Sequence, residues 1–146
     1  MSAEEAKAVV RQFIEAINRG DSSAIEAVLA PGYVDHSLPP GVPPDRAGFL
    51  QFITGFRQAF PDAHWTVEDL IAEGDKVVGR VTFHGTHQGE LLGIPPTDKP
   101  ATIGGIGLYR LAAGQIAEGW VQRDLLGLLQ QLGAMPGPPP AKSSED

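Results

Sequence analysis

The sequence predicts an α+β domain in which helices pack on one face of an antiparallel sheet. Up to Pro61, apolar residues recur three or four positions apart in three segments. After Pro61 the apolar period shortens toward two, in four segments separated by turn residues. Helices followed by a run of strands gather on one side of the sheet, and a chain of 146 residues has the length of one domain.

The first two helices are predicted from their end signals. Ser2 and Glu5 match a capping box, and Gly20 stands where the first helix would end. The apolar face of this helix consists of Ala6, Val9, Val10, Phe13, Ile14 and Ile17. Asp21 can then cap a short second helix, which Pro31 is expected to stop. The apolar residues of the second helix are Ile25, Val28 and Leu29.

A third helix is predicted between Asp45 as its cap and Pro61 as its end. A short extended piece at 33–34 and a stiff, proline-rich loop precede it. Its apolar face consists of Phe49, Phe52, Ile53, Phe56 and Phe60. So many aromatic rings on one face exclude a solvent-facing helix, and we expect this phenylalanine stripe to be core.

Four strands are predicted in the second half, at 64–72, 76–85, 101–111 and 116–123. The connections at 73–75 and 112–115 have the length of hairpin turns, whereas the connection at 86–100 is longer. A short last helix is predicted at 125–132. We therefore expect a single domain over 1–133. The proline-rich, acidic segment 134–146 has no apolar periodicity and is expected to be a disordered tail.

The composition excludes several classes of function. Lys and Arg total 11 against 18 Asp and Glu, a net charge of −7 that would repel a nucleic-acid backbone. The chain has no Cys, hence no disulfide, thiolate metal ligand or cysteine nucleophile. No apolar run is long enough to span a membrane, and the N-terminal stretch is not a basic, hydrophobic leader. We expect a cytoplasmic protein that binds neither nucleic acid nor membrane.

A series of motifs runs along the chain. It comprises YVDH at 33–36, FPD at 60–62, HGTHQGELLGIPPT at 84–97, GQIAEGW at 114–120, Asp124, and LLQQLG at 128–133. Each motif is weak by itself, but their order and spacing are fairly specific. The series, which lies within residues 6–133, resembles the SnoaL-like polyketide cyclases, also called ester cyclases.

The resemblance implies the nuclear transport factor 2-like fold, a cone in which three N-terminal helices wrap a curved antiparallel sheet. The mouth of such a cone suits a small molecule. The resemblance also implies cofactor-independent chemistry, an intramolecular aldol condensation that closes a ring in an aromatic polyketide ester. In that family an aspartate at the position of Asp124 is the acid/base. One departure is Asp98, where the family usually has Gly; Asp adopts positive φ less freely, so the loop geometry is in question.

Asp124 admits two roles. It stands where the last strand ends and the last helix begins, so its carboxylate can simply cap that helix. If the strand runs that far, Asp124 shares a strand face with Glu118, Trp120 and Gln122. In an apolar pocket beside an indole, a desolvated carboxylate is a better base for a carbon acid. Both roles can coexist if one oxygen caps and the other faces the cavity.

Two histidines are candidate donors to a substrate oxygen. His87, at the junction of strand and loop, is expected either to polarise a substrate carbonyl or to order the loop through a hydrogen bond. His36, next to Asp35, is expected either to donate to an enolate oxygen or to lie on the surface. His84 and His87 are three positions apart, so on a strand they point to opposite faces and no metal site is expected.

Three further side chains are candidates for binding substrate. Arg80 and Arg110 interrupt strands that are otherwise rich in Val, Ile and Leu. Each lies either on the solvated sheet face or against a carboxylate such as Glu118, and we expect at least one to hold a substrate oxygen in the pocket. Trp120 is expected either to pack in the core or to stack on a planar aromatic ligand.

Three functions fit these observations. The first is a polyketide (ester) cyclase, with Asp124 as the base and His36, His87 or Arg110 stabilising an enolate. The second keeps the fold but performs double-bond isomerisation, as ketosteroid isomerase does, or epoxide hydrolysis. The third is a non-catalytic module for small-molecule binding or dimerisation. The expected partners are a small ketone or ester and a second copy of the chain on the exposed sheet face, with no cofactor.

Overall fold

The computed structural model describes residues 1–136, which form four helices and five strands. In chain order these are α1 (Ala3–Arg19), α2 (Ser22–Val28), β1 (Leu29–Asp35), α3 (Arg46–Ala59), β2 (His64–Glu73), β3 (Lys76–Thr86), β4 (Pro100–Ala112), β5 (Gln115–Arg123) and α4 (Leu125–Gln131). The α+β architecture is confirmed, and the four predicted strands are correct to within one residue at each end. Of the predicted disordered segment 134–146, residues 137–146 lie outside the described part of the chain.

The helices begin at the residues that the sequence predicts as caps. Ser2 and Glu5 form both hydrogen bonds of a capping box, and Gly20 ends α1 in the left-handed conformation, with φ of 65°. Asp21 and Asp45 are the N-caps of α2 and α3. The buried face of α1 consists of Ala6, Val10, Phe13, Ile14, Ala16 and Ile17. Local sequence thus determines where each of these helices starts and, in α1, which face is buried.

The first strand is longer than the sequence predicts. We expected a helix through Leu29 that Pro31 stops, and only a short extended piece at 33–34. Instead, Leu29–Asp35 is a strand that runs parallel to β5. Leu29 is fully buried and pairs with Ile116. Pro31 lies where the register between the two strands shifts, so the absence of its N–H removes no regular hydrogen bond between the strands.

The strands form one curved, open sheet in the order β1-β5-β4-β3-β2, antiparallel throughout except between β1 and β5. Helices α1 and α3 pack on one face, here called the inner face. The opposite, outer face carries four exposed hydrophobic side chains: Val34, Ile71, Ile106 and Trp120. Pairing with a second copy through this face stays a prediction. No helix within residues 1–136 has the length and apolar character needed to cross a membrane.

The long connection between β3 and β4 contains Asp98, the residue that departs from the family pattern. Asp98 has a φ of 58°, in the left-handed region, and its N–H donates to the His87 carbonyl at 2.8 Å. The chain therefore keeps a backbone conformation suited to glycine at a position that is not glycine.

Replacing Asp98 with glycine is expected to raise the free energy of unfolding by up to about 1 kcal/mol. Glycine removes the steric cost of a left-handed side chain, and its greater freedom in the unfolded chain offsets part of the gain. Urea denaturation measures the difference, with Asp98→Ala as the matched variant that should lower stability. A glycine variant less stable than the wild type would show that Asp98 is not strained.

Candidate active site

A cavity lies between the inner face of the sheet and helices α1 and α3. The empty space between its walls amounts to about 780 Å³, including the part that is open to solvent. Its polar side chains include Tyr33, Asp35, Tyr109 and Arg123. Its aromatic walls comprise Phe13, Phe49, Phe52, Phe56, Trp65 and Phe83. The phenylalanine stripe of α3, predicted as core, thus in part forms the wall of the cavity.

Asp35 is the one carboxylate among the described residues that line this cavity. It ends β1 and is 3% exposed. Its Oδ2 accepts a hydrogen bond from the Tyr33 hydroxyl at 2.7 Å, and its Oδ1 accepts one from the Ser37 N–H at 2.8 Å. Strand alternation puts Tyr33 and Asp35 on the same side of β1. Gly119 of β5 lies opposite them. A Cβ added at Gly119 would lie 2.8 Å from the Tyr33 hydroxyl oxygen, so the absence of a side chain there gives this hydroxyl its space.

Two tyrosine hydroxyls accompany this carboxylate. Burial raises the pKa of Tyr109 to about 12, against the opposing charge of Arg123 and with a further contribution from the charge of Asp35. Burial, reinforced by the charge of Asp35 and its hydrogen bond, also holds the pKa of Tyr33 far above its ordinary value. Both phenols are therefore protonated near neutral pH, and each can donate a hydrogen bond.

Arg123 contributes the positive charge. It ends β5, where it pairs with Gly105 of β4, and its guanidinium carbon lies 5.1 Å from the centre of the Phe52 ring. This distance is within the range of a cation–π interaction. The cavity therefore combines an apolar space lined by aromatic rings with a carboxylate that can accept a proton and with donors that can stabilise an oxyanion.

The structure places Asp124 outside this cavity. Asp124 is exposed and is the N-cap of α4, where its Oδ1 accepts a hydrogen bond from the Gly127 N–H at 2.9 Å. Both carboxylate oxygens lie over Gly127, close to where a Cβ would stand. The expectation that Asp124 faces an apolar pocket is therefore wrong. Strand β5 ends at Arg123, and the Asp124 side chain caps α4 instead. Its role as the acid/base stays a prediction.

Three other predicted residues form a cluster with Glu118 on the outer face of the sheet. In this outer-face cluster (His36, Arg110, Glu118 and Trp120), Nε2 of His36 lies 2.7 Å from Oε2 of Glu118. Nε of Arg110 donates to Oε1 of Glu118 at 2.9 Å, the pairing that the sequence analysis considered. The rings of His36 and Trp120 stack with their centres 4.8 Å apart. His36 and Arg110 therefore follow the surface and Glu118-pairing alternatives, and the expectation that they face the pocket is wrong. Trp120 is 36% exposed, so it neither packs in the core nor lines the cavity.

The hydrogen bonds from His36 and Arg110 hold the pKa of the Glu118 carboxyl below its ordinary value. The pair therefore stabilises the fold above the unfolded-state pKa of Glu118, and this contribution is lost as the pH falls through the lowered value. We expect His36→Phe, which keeps a ring against Trp120 but removes the N–H donor, to raise the pKa of Glu118.

Carboxyl ¹³C NMR titration measures this shift. Asp62 serves as a control within the same spectrum, because hydrogen bonds from the backbone and hydroxyl of Thr86 lower its pKa, remote from the substitution. An unchanged titration of Glu118 in His36→Phe would contradict the assignment.

The last two predicted binding residues also lie away from the cavity. Nε of Arg80 donates to Oδ2 of Asp69 at 2.7 Å in an exposed pair. His87 is fully buried, its Nδ1 accepts from the Thr97 N–H at 3.2 Å, and its ring packs against Phe60. His87 therefore follows the loop-ordering alternative. Within residues 1–136, no three His, Asp or Glu side chains gather into a possible metal site.

Sequence reasoning missed Asp35, Tyr109 and Arg123. The alternation of Tyr33, Val34 and Asp35 held the signal for the first of these. Residues two positions apart in a strand lie on the same side, so a buried Tyr33 implies that Asp35 also points inward. For Tyr109 and Arg123 the signal was their pairing with glycines across the sheet, at Gly119 and Gly105, which depends on the strand register.

Comparison with known proteins adds a family and a set of related folds. Residues 7–132 match the family described as SnoaL-like polyketide cyclase. The nogalonic acid methyl ester cyclase of Streptomyces nogalater is 29% identical over 122 residues, which cover 82% of this chain and 91% of that protein. TsrD from Streptomyces laurentii is 32% identical with a TM-score of 0.85, over 92% of this chain and 99% of TsrD. IdmH from Streptomyces antibioticus is 34% identical with a TM-score of 0.79, over 88% of this chain and 98% of IdmH.

Proposed function

The chain belongs to the SnoaL-like polyketide cyclase family, and on this premise we propose that it closes a ring in an aromatic polyketide ester by intramolecular aldol condensation. Relatives that match over most of both chains are named for the cyclisation of nogalonic and aklanonic acid methyl esters. The aromatic walls of the cavity suit a planar substrate of this class. The ligand expected from this proposal is a small ketone or ester.

The observation that carries the proposed chemistry is the placement of Asp35. A carboxylate that is 3% exposed and fixed by two hydrogen bonds lies on the wall of an apolar cavity. Such a group is shielded from bulk water and held in one orientation, as a general base for a carbon acid requires. We therefore assign the acid/base role to Asp35.

The reaction then needs only one proton in transit. Asp35 takes a proton from the carbon next to a carbonyl, and the C–H electron pair moves onto the carbonyl oxygen to form an enolate. The enolate carbon attacks a second carbonyl carbon of the same molecule, which forms the new C–C bond. The second oxygen receives the displaced electron pair and then the proton that Asp35 holds.

The other polar groups of the cavity stabilise the charge that develops. The neutral Tyr109 hydroxyl can donate to the enolate oxygen, and the Arg123 guanidinium supplies a positive charge nearby. The aromatic walls can hold the substrate in the folded conformation that brings its two reacting carbons together, which lowers the entropic cost of ring closure.

The test follows an aromatic polyketide methyl ester with an unclosed ketone side chain in D₂O. We expect a ring-closed product, detected by chromatography and NMR, in which the carbon that lost its proton carries the new C–C bond and not deuterium. Deuterium exchange with a shifted double bond but no new ring would indicate an isomerase instead. Binding with neither exchange nor closure would indicate a non-catalytic module, and both results would overturn the proposal.

A further inference from the structure

The positive charge of Arg123 has no carboxylate partner within the cavity. Across residues 1–136, four other arginines (Arg19, Arg46, Arg80 and Arg110) lie within 4.0 Å of an Asp or Glu oxygen, and no such pair involves Arg123. Its neighbour is instead the face of Phe52. A half-buried cation against an apolar wall has lost part of its hydration without gaining an opposite charge. An anionic group on a ligand would supply that charge and accept its hydrogen bonds.

The residue opposite Arg123 in the sheet is a glycine. Arg123 pairs with Gly105, and a Cβ at Gly105 would lie 3.2 Å from the Gln122 carbonyl oxygen, so the backbone leaves little space for a side chain there. Both residues line the cavity, and Gly105 adds no side chain to the wall beside Arg123. A flat ring can approach the guanidinium there, in contact with the aromatic wall formed by Phe52 and Phe56.

The cavity is also divided in charge. Asp35 and Tyr109 both pair with Gly119 of β5, and Arg123 lies four residues further along the same strand, so the three residues share one wall of the cavity. A substrate that presents its acidic carbon to Asp35 can therefore direct a second polar group toward Arg123. An anionic group is favoured at Arg123 and is repelled by Asp35, which fixes the direction in which the molecule enters.

We infer that Arg123 is a binding residue that selects aromatic substrates with an anionic oxygen on the ring system. The inference rests on the proposed function, because it specifies which polyketides the same cavity takes. Two chemical sources supply such a group, a ring carboxylate and an ionised ring hydroxyl. A guanidinium can bind either one through parallel N–H donors.

The test compares two matched pairs of planar probes. Anthraquinone-2-carboxylate is compared with its methyl ester, and 2-hydroxyanthraquinone, at a pH where its hydroxyl is ionised, with 2-methoxyanthraquinone. Binding is followed by quenching of Trp65, which lines the cavity, in a Trp120→Phe background that removes the second tryptophan. We expect the anion of at least one pair to bind about tenfold more tightly than its neutral partner, the size of a charged hydrogen bond.

The variants then assign the preference to Arg123. Arg123→Gln should remove the preference for the anionic probe, Arg123→Lys should keep part of this preference, and Arg11→Gln should keep all of it. Arg11 is exposed on α1, so its loss changes the net charge equally without touching the cavity. Thermal denaturation confirms that each variant is folded. Equal binding within both pairs, or a preference that survives in Arg123→Gln, would overturn the inference.

This experiment is independent of turnover. A preference for the anion that depends on Arg123, in a chain that closes no ring in D₂O, would support the inference and overturn the proposed function. Ring closure without any preference for the anionic probe would support the proposed function and overturn the inference about Arg123.

Discussion

Asp35→Asn is expected to lower the rate of ring closure by about 10²–10⁴-fold, the usual contribution of a general base. Asparagine has the same shape but cannot take the proton. One of its two polar atoms is an NH₂ donor, so it can accept from either Tyr33 or Ser37 but not from both with full geometry. We therefore also expect a loss of about 1–3 kcal/mol in the free energy of unfolding. Single-turnover rates at saturating substrate separate the chemical loss from any change in affinity.

Asp124→Asn provides the matched control for this result. Asparagine caps helices about as well as aspartate, so this variant should retain both stability and turnover. Asp124→Ala should lose about 1 kcal/mol of stability, because the hydrogen bond to the Gly127 N–H disappears, and still turn over substrate. If Asp124→Asn abolished turnover while Asp35→Asn retained it, the acid/base would be Asp124 and the present assignment would be wrong.

Among substitutions that add one methyl group to the cavity wall, Gly107→Ala is expected to lower stability the most. A Cβ at Gly107 would lie 2.6 Å from the Tyr109 hydroxyl oxygen and 2.8 Å from two ring carbons. Tyr109 is 7% exposed and packs edge-on against Phe13, with ring centres 5.8 Å apart, so the ring has little freedom to tilt. We expect a loss of about 1–3 kcal/mol in stability, as for other overpacked sites.

The displaced Tyr109 ring should also move into the space that a ligand occupies. Gly104→Ala tests this explanation in the same strand, because a Cβ at Gly104 meets no atom within 4 Å. Urea denaturation should show little change for Gly104→Ala and a clear loss for Gly107→Ala, and quenching of Trp65 by a planar probe should weaken in the latter alone. Equal stability of the two variants would show that Tyr109 has more freedom than the packing implies.

The elements of this fold could be predicted because their signals are local. Ser2, Asp21 and Asp45 accept hydrogen bonds within their own first helical turns, and the hairpin turns lie within a few residues of the strands they join. The parallel pairing of β1 with β5 could not be predicted in this way. It brings His36 to Glu118, 82 positions apart in the chain, and no local pattern specifies that contact.

The candidate site was harder to predict because a period of two shows which residues share a face, but not which face points inward. The sequence analysis grouped Glu118 and Trp120 correctly and then assigned them to the wrong side. In β4 the outer row includes Ile106 and Leu108, whereas the inner row includes Gly105 and Gly107. Between residues 105 and 108 the inner row therefore looks less hydrophobic than the outer row, since its glycines leave space for Tyr109 and for the cavity.

The parallel pairing of β1 and β5 also determines when the site is complete. Asp35 lies on an edge strand that is synthesised early, whereas Arg123, which lines the same cavity, lies on the last strand to be synthesised. The hairpins β2-β3 and β3-β4 are contiguous in sequence and can close quickly, whereas the joining of β1 to β5 must wait for nearly the whole chain. A ribosome-bound chain that lacks β5 already contains Asp35, yet it lacks Val121 and Arg123 from the wall of the cavity. We therefore expect the candidate site to assemble late in folding.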